Sequence, residues 1–363
     1  MKNKRYTSFE LLRIIAMIMI IFHHFFIHGN FNYSTTSITI ERLYYNLMIG
    51  GGKIGVNIFI LLSGYFLSDQ EESKTRVKKI LKLLSAVYFY SIIFLLTFKT
   101  FSNINISSID YLTSLFPITF SNWWFVSTYF VLYLLHPFLN KLIDSLQKED
   151  FQKLLIFSII TWSLIPTLTN LDFQGNDLLW FMTLYMIAAY IRKYDLNKKV
   201  KKSHYIKLLI LITLLTYSST LIFSILGRKY LFFRNHVFYF YDQNKLPILI
   251  ISVCLFMVFK LSNIKYTASI NKIASATFGV YLIHDNLFTR RFLWNQLFNV
   301  SKYQDSVYLI PYSIFVVFIV FISASIIELL RQSIATRIIE LDKHNLDDGK
   351  NLYISIRNIL FGG

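Results

Sequence analysis

The sequence predicts an all-α, polytopic membrane protein of about ten transmembrane helices with both termini in the cytoplasm. Three observations carry that prediction. The 363 residues are 55% hydrophobic and only 16% charged, which is not the balance of a soluble enzyme. Apolar runs long enough to cross a bilayer recur from end to end. Of the 37 lysines and arginines, 26 fall in the segments that lie inside if the N-terminus is cytoplasmic, the asymmetry that sets membrane orientation.

The candidate spans lie at about 8–28, 53–68, 79–98, 123–140, 151–168, 178–192, 205–226, 245–261, 273–289 and 307–330. The first is apolar yet carries Glu10, Arg13, His23, His24 and His28. Its length and polar flanks fit a retained signal-anchor rather than a cleaved signal peptide. Arg13 and His24 are eleven residues apart, about three turns, so they share a face and lie ~16 Å apart along the axis. Glu10, one turn before Arg13, can pair with its guanidinium. Ionisable groups at such depth face a bundle interior or a water-filled cavity, so this helix carries a polar track; a structural ion pair with interfacial histidines is the plainer account.

The second span places Gly55, Ser63 and Gly64 along its length and ends in Ser63-Gly64-Tyr65 on the cytoplasmic side. Small residues admit a neighbouring helix or a slender ligand close to the backbone. The third span opens on Arg76, Lys79 and Lys82, three residues apart and therefore on one face at the inner surface. Such a cluster suits a polyphosphate, and also serves as positive-inside anchoring. The fourth opens with Trp123 and Trp124 at the outer interface, where tryptophans anchor helices or stack on sugar rings, and closes on His136-Pro137. The fifth to eighth spans carry little beyond their apolarity; the sixth is the shortest, and the eighth holds Cys254, the single cysteine. The ninth ends in Tyr281-Leu-Ile-His284-Asp285 at a depth comparable with His24. A histidine beside a carboxylate is an acid–base element when its surroundings place its titration near neutrality, and otherwise a helix anchor. After the tenth span, the tail from Arg331 alternates charge with Ile and Leu, as an amphipathic helix on the inner surface does. The expected organisation is a membrane domain over 1–335 and a cytoplasmic tail over 336–363, with outside loops of about twenty residues around 29–52, 99–122 and 227–244.

Several functions are excluded. The net charge of +17 sits in short loops between apolar runs, which speaks for anionic headgroups and against nucleic acid. One cysteine rules out an intrachain disulfide and a cysteine metal cluster. There is no Gly-x-Ser-x-Gly elbow, no Walker loop and no His-Glu-x-x-His; adjacent His23 and His24 point about 100° apart, so no metal site is expected.

Taken together, four features resemble the acyltransferase 3 family of integral membrane acyltransferases: Glu-Leu-Leu-Arg13 followed by His24; Asn57-Ile-Phe59 leading into Ser63-Gly64-Tyr65 and then the basic Arg76–Lys82 segment; Trp124-Phe125 with Tyr133 and Pro137; and Phe278-Gly279-Val-Tyr281-Leu-Ile-His284. They run in the family's order over about residues 5–330. Lysines stand at 78, 79 and 82 where the family favours arginine, and the hydrolase-like domain that some members carry after the membrane region is not present. The resemblance implies a cytoplasmic acyl-CoA donor, most often acetyl-CoA, which is a substrate and not a bound cofactor. Its phosphates would sit at the inner mouth (Ser63, Tyr65, Arg76, Lys79, Lys82) and its pantetheine arm along the Arg13–His24 face. The implied reaction is O-acetylation of a cell-surface polysaccharide or its lipid-linked precursor in a bacterial plasma membrane. His24 would be the general base, with Arg13 orienting the donor or stabilising developing charge. His284 is a second candidate acid–base group, and Trp123, Trp124 and Asp285 line the acceptor side. A transporter or flippase for an anionic metabolite or glycan precursor is the alternative, although internal repeats and broken helices are lacking; a scaffold would need neither Arg13 nor His24 to be ionisable. The acyl chain, the sugar and the oligomeric state are not legible.

Overall fold

A computed structural model describes residues 6–69, 75–101, 106–194 and 200–346. Among these residues the secondary structure is helical, without strands; eight of the ten expected segments fall on a single helix, 151–168 runs through three consecutive helical pieces and 273–289 crosses a break. Six helices are long and apolar enough to cross a membrane.

Helix α1 (Thr7–Ile27) is uninterrupted and central, packed against α2 (Ile40–Leu67) and against three helices from the second half of the chain. The Thr39 hydroxyl, accepting from the Arg42 amide, starts α2 thirteen residues before the expected span. The sequence reading places residues 29–52 in an outside loop, and Gly50, Gly51 and Gly52 each cost about 1 kcal/mol against alanine in a helix. Close packing offsets that cost. A Cβ on Gly50 would come within 2.7 Å of the Tyr241 ring, one on Gly52 would overlap the His23 ring, and one on Gly55 would lie 2.7 Å from the Ala16 carbonyl oxygen. The α1–α2 seam exists because these positions carry no side chain.

Helix α3 (Thr75–Phe101) leads to the short α4 (Ser108–Leu115), which a reciprocal Ser107–Asp110 capping box begins inside the expected 99–122 loop. Helix α5 (Trp124–Ser145) accommodates Pro137, and α6 (Lys148–Ile159) continues through a π-helical turn at Ile160–Leu164 into α7 (Ile165–Thr169), which ends at Asn170 in the left-handed region, φ 58°. Asn176 caps α8 (Asp177–Lys193). Helix α9 (Lys202–Leu226) is peripheral: Leu208, Ile210, Leu211, Leu214 and Leu215 are exposed, the surface a lipid-facing helix presents. A five-residue helix, α10 (Leu231–Asn235), precedes α11 (Leu246–Lys260). Helix α12 (Ala268–His284) stops at Asp285, and Asn286 caps the next short turn, α13 (Leu287–Arg291), through the Phe288 amide. That break turns His284, Asp285 and Arg290 toward α1. The last helix, α14 (Leu309–Leu346), passes position 335 without interruption; residues 347–363 of the expected tail lie outside the described residues.

Two sets of buried polar side chains tie helices together inside this apolar bundle. Asn57 on α2 is fully buried, donates to the Gln243 carbonyl at 2.8 Å and accepts from Trp180 Nε1 at 3.0 Å. Glu328 on α14 accepts from Tyr90, Arg331 and Gln332, and occupies the space a side chain at Gly279 would need, which joins α3, α12 and α14. Each polar pair orients one helix against another in a core where apolar packing alone specifies orientation weakly.

Candidate active site

The polar track of α1 opens into two cavities. The inner one, about 270 Å³, is lined by Arg13, Ser63, Phe66, Lys79, Tyr129 and Tyr133 among others. Arg13 reaches it while Nη1 donates to Glu10 Oε2 at 2.6 Å, so the guanidinium is held by its own helix and still presents donors to the cavity. The outer one, about 170 Å³, is lined by His23, His24, His28, Lys53, Trp124, Tyr281, Asp285 and Arg290 with apolar neighbours. Aromatic rings of α2 and α5 stand between them: Phe59 and Phe125 line the outer cavity, and the Tyr129 ring, stacked on Phe125 at 5.9 Å, lines the inner one.

Hydrogen bonding determines which ring nitrogen of His24 is free. His284 Nδ1 lies 2.6 Å from the Val280 carbonyl oxygen, which can only accept, so Nδ1 carries the proton and Nε2 offers a lone pair. His24 Nδ1, 3.0 Å away, must then donate to His284 Nε2. This leaves His24 Nε2 as an acceptor, and it has no hydrogen-bond partner among the described residues. The two-histidine relay spans 260 residues of sequence and fixes the tautomer of a ring that lines the outer cavity.

Asp285 is the electrostatic hub. Its Oδ1 lies 3.6 Å from His24 Nδ1, 3.4 Å from His28 Nε2 and 3.2 Å from Arg290 Nε. None of these three contacts has hydrogen-bond geometry, and Asp285 Oδ1, Arg290 Nε and Tyr281 Oη remain without a hydrogen-bond partner although buried. His24, His28 and Asp285 each offer a ligand atom within 4.8 Å of the others, close enough to hold a cation; Arg290 already supplies positive charge to the carboxylate.

The expected residues separate as follows. Arg13, Ser63 and Lys79 meet at the inner cavity, while His24, Trp124 and Asp285 meet at the outer one. His284 is fully buried behind His24, its Nε2 3.0 Å from His24 Nδ1. Tyr65 is not a cavity residue: it packs on Phe9 and Phe256, with the Arg192 guanidinium 4.8 Å from its ring centre. Lys82 is exposed and lines neither cavity, and Trp123 is buried at the start of α5, also away from both. The Arg76 side chain lies outside the described residues. Residues the sequence reading did not assign are Lys53, Arg290, His28, Tyr281 and Tyr129. Tyr281 and His28 stood in quoted motifs. Lys53 and Arg290 looked like ordinary outside-loop charges, and only a longer α2 and the α12–α13 break turn them inward.

Several long apolar helices with an ionisable cluster lodged among them are the architecture of a multi-pass membrane protein. The match to known families makes this specific. The acyltransferase domain of the acyltransferase 3 family covers residues 6–328, so the chain belongs to that family and is a multi-pass membrane acyltransferase. No characterised protein and no solved structure matched it. The family match gives the transporter alternative no support.

Proposed function

We propose that the protein takes an acetyl group from cytoplasmic acetyl-CoA and transfers it to a hydroxyl of a cell-surface polysaccharide or its lipid-linked precursor, in the plasma membrane of a bacterium. The observation that carries this reading is the pair of cavities on one face of α1, with Arg13 in one and His24 in the other. The inner cavity, with Arg13, Lys79 and Ser63, receives the donor from the cytoplasmic side, consistent with the distribution of basic loops. The slender pantetheine arm passes the Phe59–Phe125–Tyr129 ring cluster and brings the thioester to His24.

At His24, Nε2 removes the proton of the acceptor hydroxyl as its oxygen attacks the thioester carbonyl. The carbon–sulfur bond then breaks, and the coenzyme A thiolate leaves with the proton returned from His24. Proton removal by a positioned histidine contributes about 10²–10⁴ in rate. His284 holds the tautomer that keeps Nε2 free, and Asp285 balances the imidazolium formed during attack, the logic of an acid–histidine pair. Trp124 and Tyr281 offer ring faces to a sugar. Arg13 orients the donor. The loop charges also support cytoplasmic termini and ten crossings, with α5 and the shorter α8, α11 and α12 joining the six long helices.

The test expresses wild type and His24→Ala at equal abundance in a host making the candidate glycan, with O-acetyl groups measured by proton NMR. Ester present with wild type and lost with the variant is the expected outcome. Ester formation unchanged in the variant removes His24 from the chemistry.

A further inference from the structure

Lys53 is the ionic group in the outer cavity that the transfer chemistry leaves unused. It is the fourteenth residue of the 28-residue α2, about 20 Å along the helix from its first residue, so its ammonium is far from either end. The side chain lines the same cavity as His24. Among the described residues it has no hydrogen bond and no carboxylate within ion-pair distance. Asp177 feels its field but is bonded to Gln243 Nε2 at 2.6 Å. A half-buried ammonium that lines this cavity and makes no direct contact with a carboxylate is open to an anionic ligand.

The cavity as a whole carries the same imbalance. Lys53 and Arg290 are permanent cations, and Asp285 is the one carboxylate among the lining residues. Asp285 is already engaged by Arg290, so the ammonium of Lys53 is the surplus charge. Around it stand Trp124, Phe125 and Tyr281, aromatic walls of low polarity that strengthen any ionic contact made inside.

We propose that Lys53 binds an anionic group of the acceptor: the sugar whose hydroxyl is esterified carries or directly adjoins a carboxylate or phosphate. This rests on the acyl-transfer reading above and adds the acceptor class. The anion meets the Lys53 ammonium while the neighbouring hydroxyl reaches His24 Nε2, so charge recognition sets which hydroxyl is presented. A neutral acceptor would leave the lysine unpaired in the closed site and bind more weakly. The anion can belong to the polymer, as an acidic sugar or phosphodiester, or to the diphosphate of a lipid carrier next to the first sugar.

The deciding experiment maps O-acetyl esters by two-dimensional NMR and mass spectrometry in the native cell and in a strain lacking the protein, on both the polymer and its lipid-linked intermediates. The expected result is loss of esters from units that bear or adjoin an anion. Their position in the polymer points to an acidic sugar, and their restriction to the carrier-proximal unit points to the diphosphate. Loss of esters only from neutral units without an adjacent anion overturns the proposal. Loss of no ester refutes the acyl-transfer reading itself, and this one with it.

Complementation then addresses the residue. Lys53→Met at wild-type abundance should raise the KM for the acceptor by about tenfold or more, the weight of a charge-assisted contact, with the KM for acetyl-CoA unmoved. Lys53→Arg should restore most of it. Unchanged acceptor KM with reduced turnover would assign Lys53 to the transition state and overturn the binding role.

Discussion

The His24–His284 relay makes a prediction whose size follows from its geometry. His284→Leu keeps a comparable apolar volume in a fully buried position and removes the acceptor that His24 Nδ1 meets at 3.0 Å. The Nδ1 proton then loses its partner inside the membrane, and the ring is free to place that proton on Nε2, the nitrogen needed as base. An orphaned buried donor costs about 1–3 kcal/mol. If that cost falls on the competent tautomer, turnover drops about 5- to 150-fold at 1.4 kcal/mol per tenfold. His284→Gln restores an acceptor oxygen in a side chain of similar reach and should recover most of the activity. The assay is acetyl transfer in membrane vesicles at saturating acetyl-CoA, with the thermal transition in detergent confirming that both variants fold. The reasoning fails if His284→Leu turns over like wild type. It fails equally if leucine and glutamine lose the same amount, because then volume and not hydrogen bonding is what His284 supplies.

Two further substitutions test the packing that positions the site. Gly55→Leu drives a side chain into the α1 backbone, where even a Cβ would sit 2.7 Å from the Ala16 oxygen. Overpacking of this kind costs about 1–3 kcal/mol, so a lower melting temperature in detergent is expected, together with lost activity as the Arg13–His24 face shifts. Asn57→Leu leaves Trp180 Nε1 and the Gln243 carbonyl unpaired in the core. The expected loss is about 1–3 kcal/mol per orphaned group, read as a lower melting temperature with turnover per folded molecule retained; a melting temperature at the wild-type value would show that water replaces the asparagine.

How much was legible depends on which physical signal carried each feature. Apolar run length marked the long helices because a backbone in lipid must satisfy its own hydrogen bonds, whatever its neighbours do; the short α4 and α10 carried no such signal. The eleven-residue spacing of Arg13 and His24 placed both on one face of α1, and the two cavities lie along that face. The start of α2 was misread because glycine's cost is local while its compensation, a neighbouring ring or carbonyl, comes from α1 and from Tyr241, far along the chain. That error hid Lys53, which the expected span placed at its outer end and the longer α2 places mid-helix. Tyr65, expected at the donor's mouth from its place in a motif, packs on Phe9 and Phe256 with Arg192 over its ring and lines neither of the two cavities.

The sequence alone determined the class of fold, the polar face of the first helix and the presence of a histidine–aspartate pair near the end. All of these follow from periodicity within one segment. Tertiary structure decided that His284 stands behind His24 and not beside it, that Asp285 lies against His24, His28 and Arg290, and that Lys53 and Arg290 turn into one cavity. Those relations join residues up to 260 positions apart, and no local pattern encodes which helix a side chain will meet. Packing encodes it, through small residues that let α2 approach α1 and through the break after α12 that turns its last side chains inward.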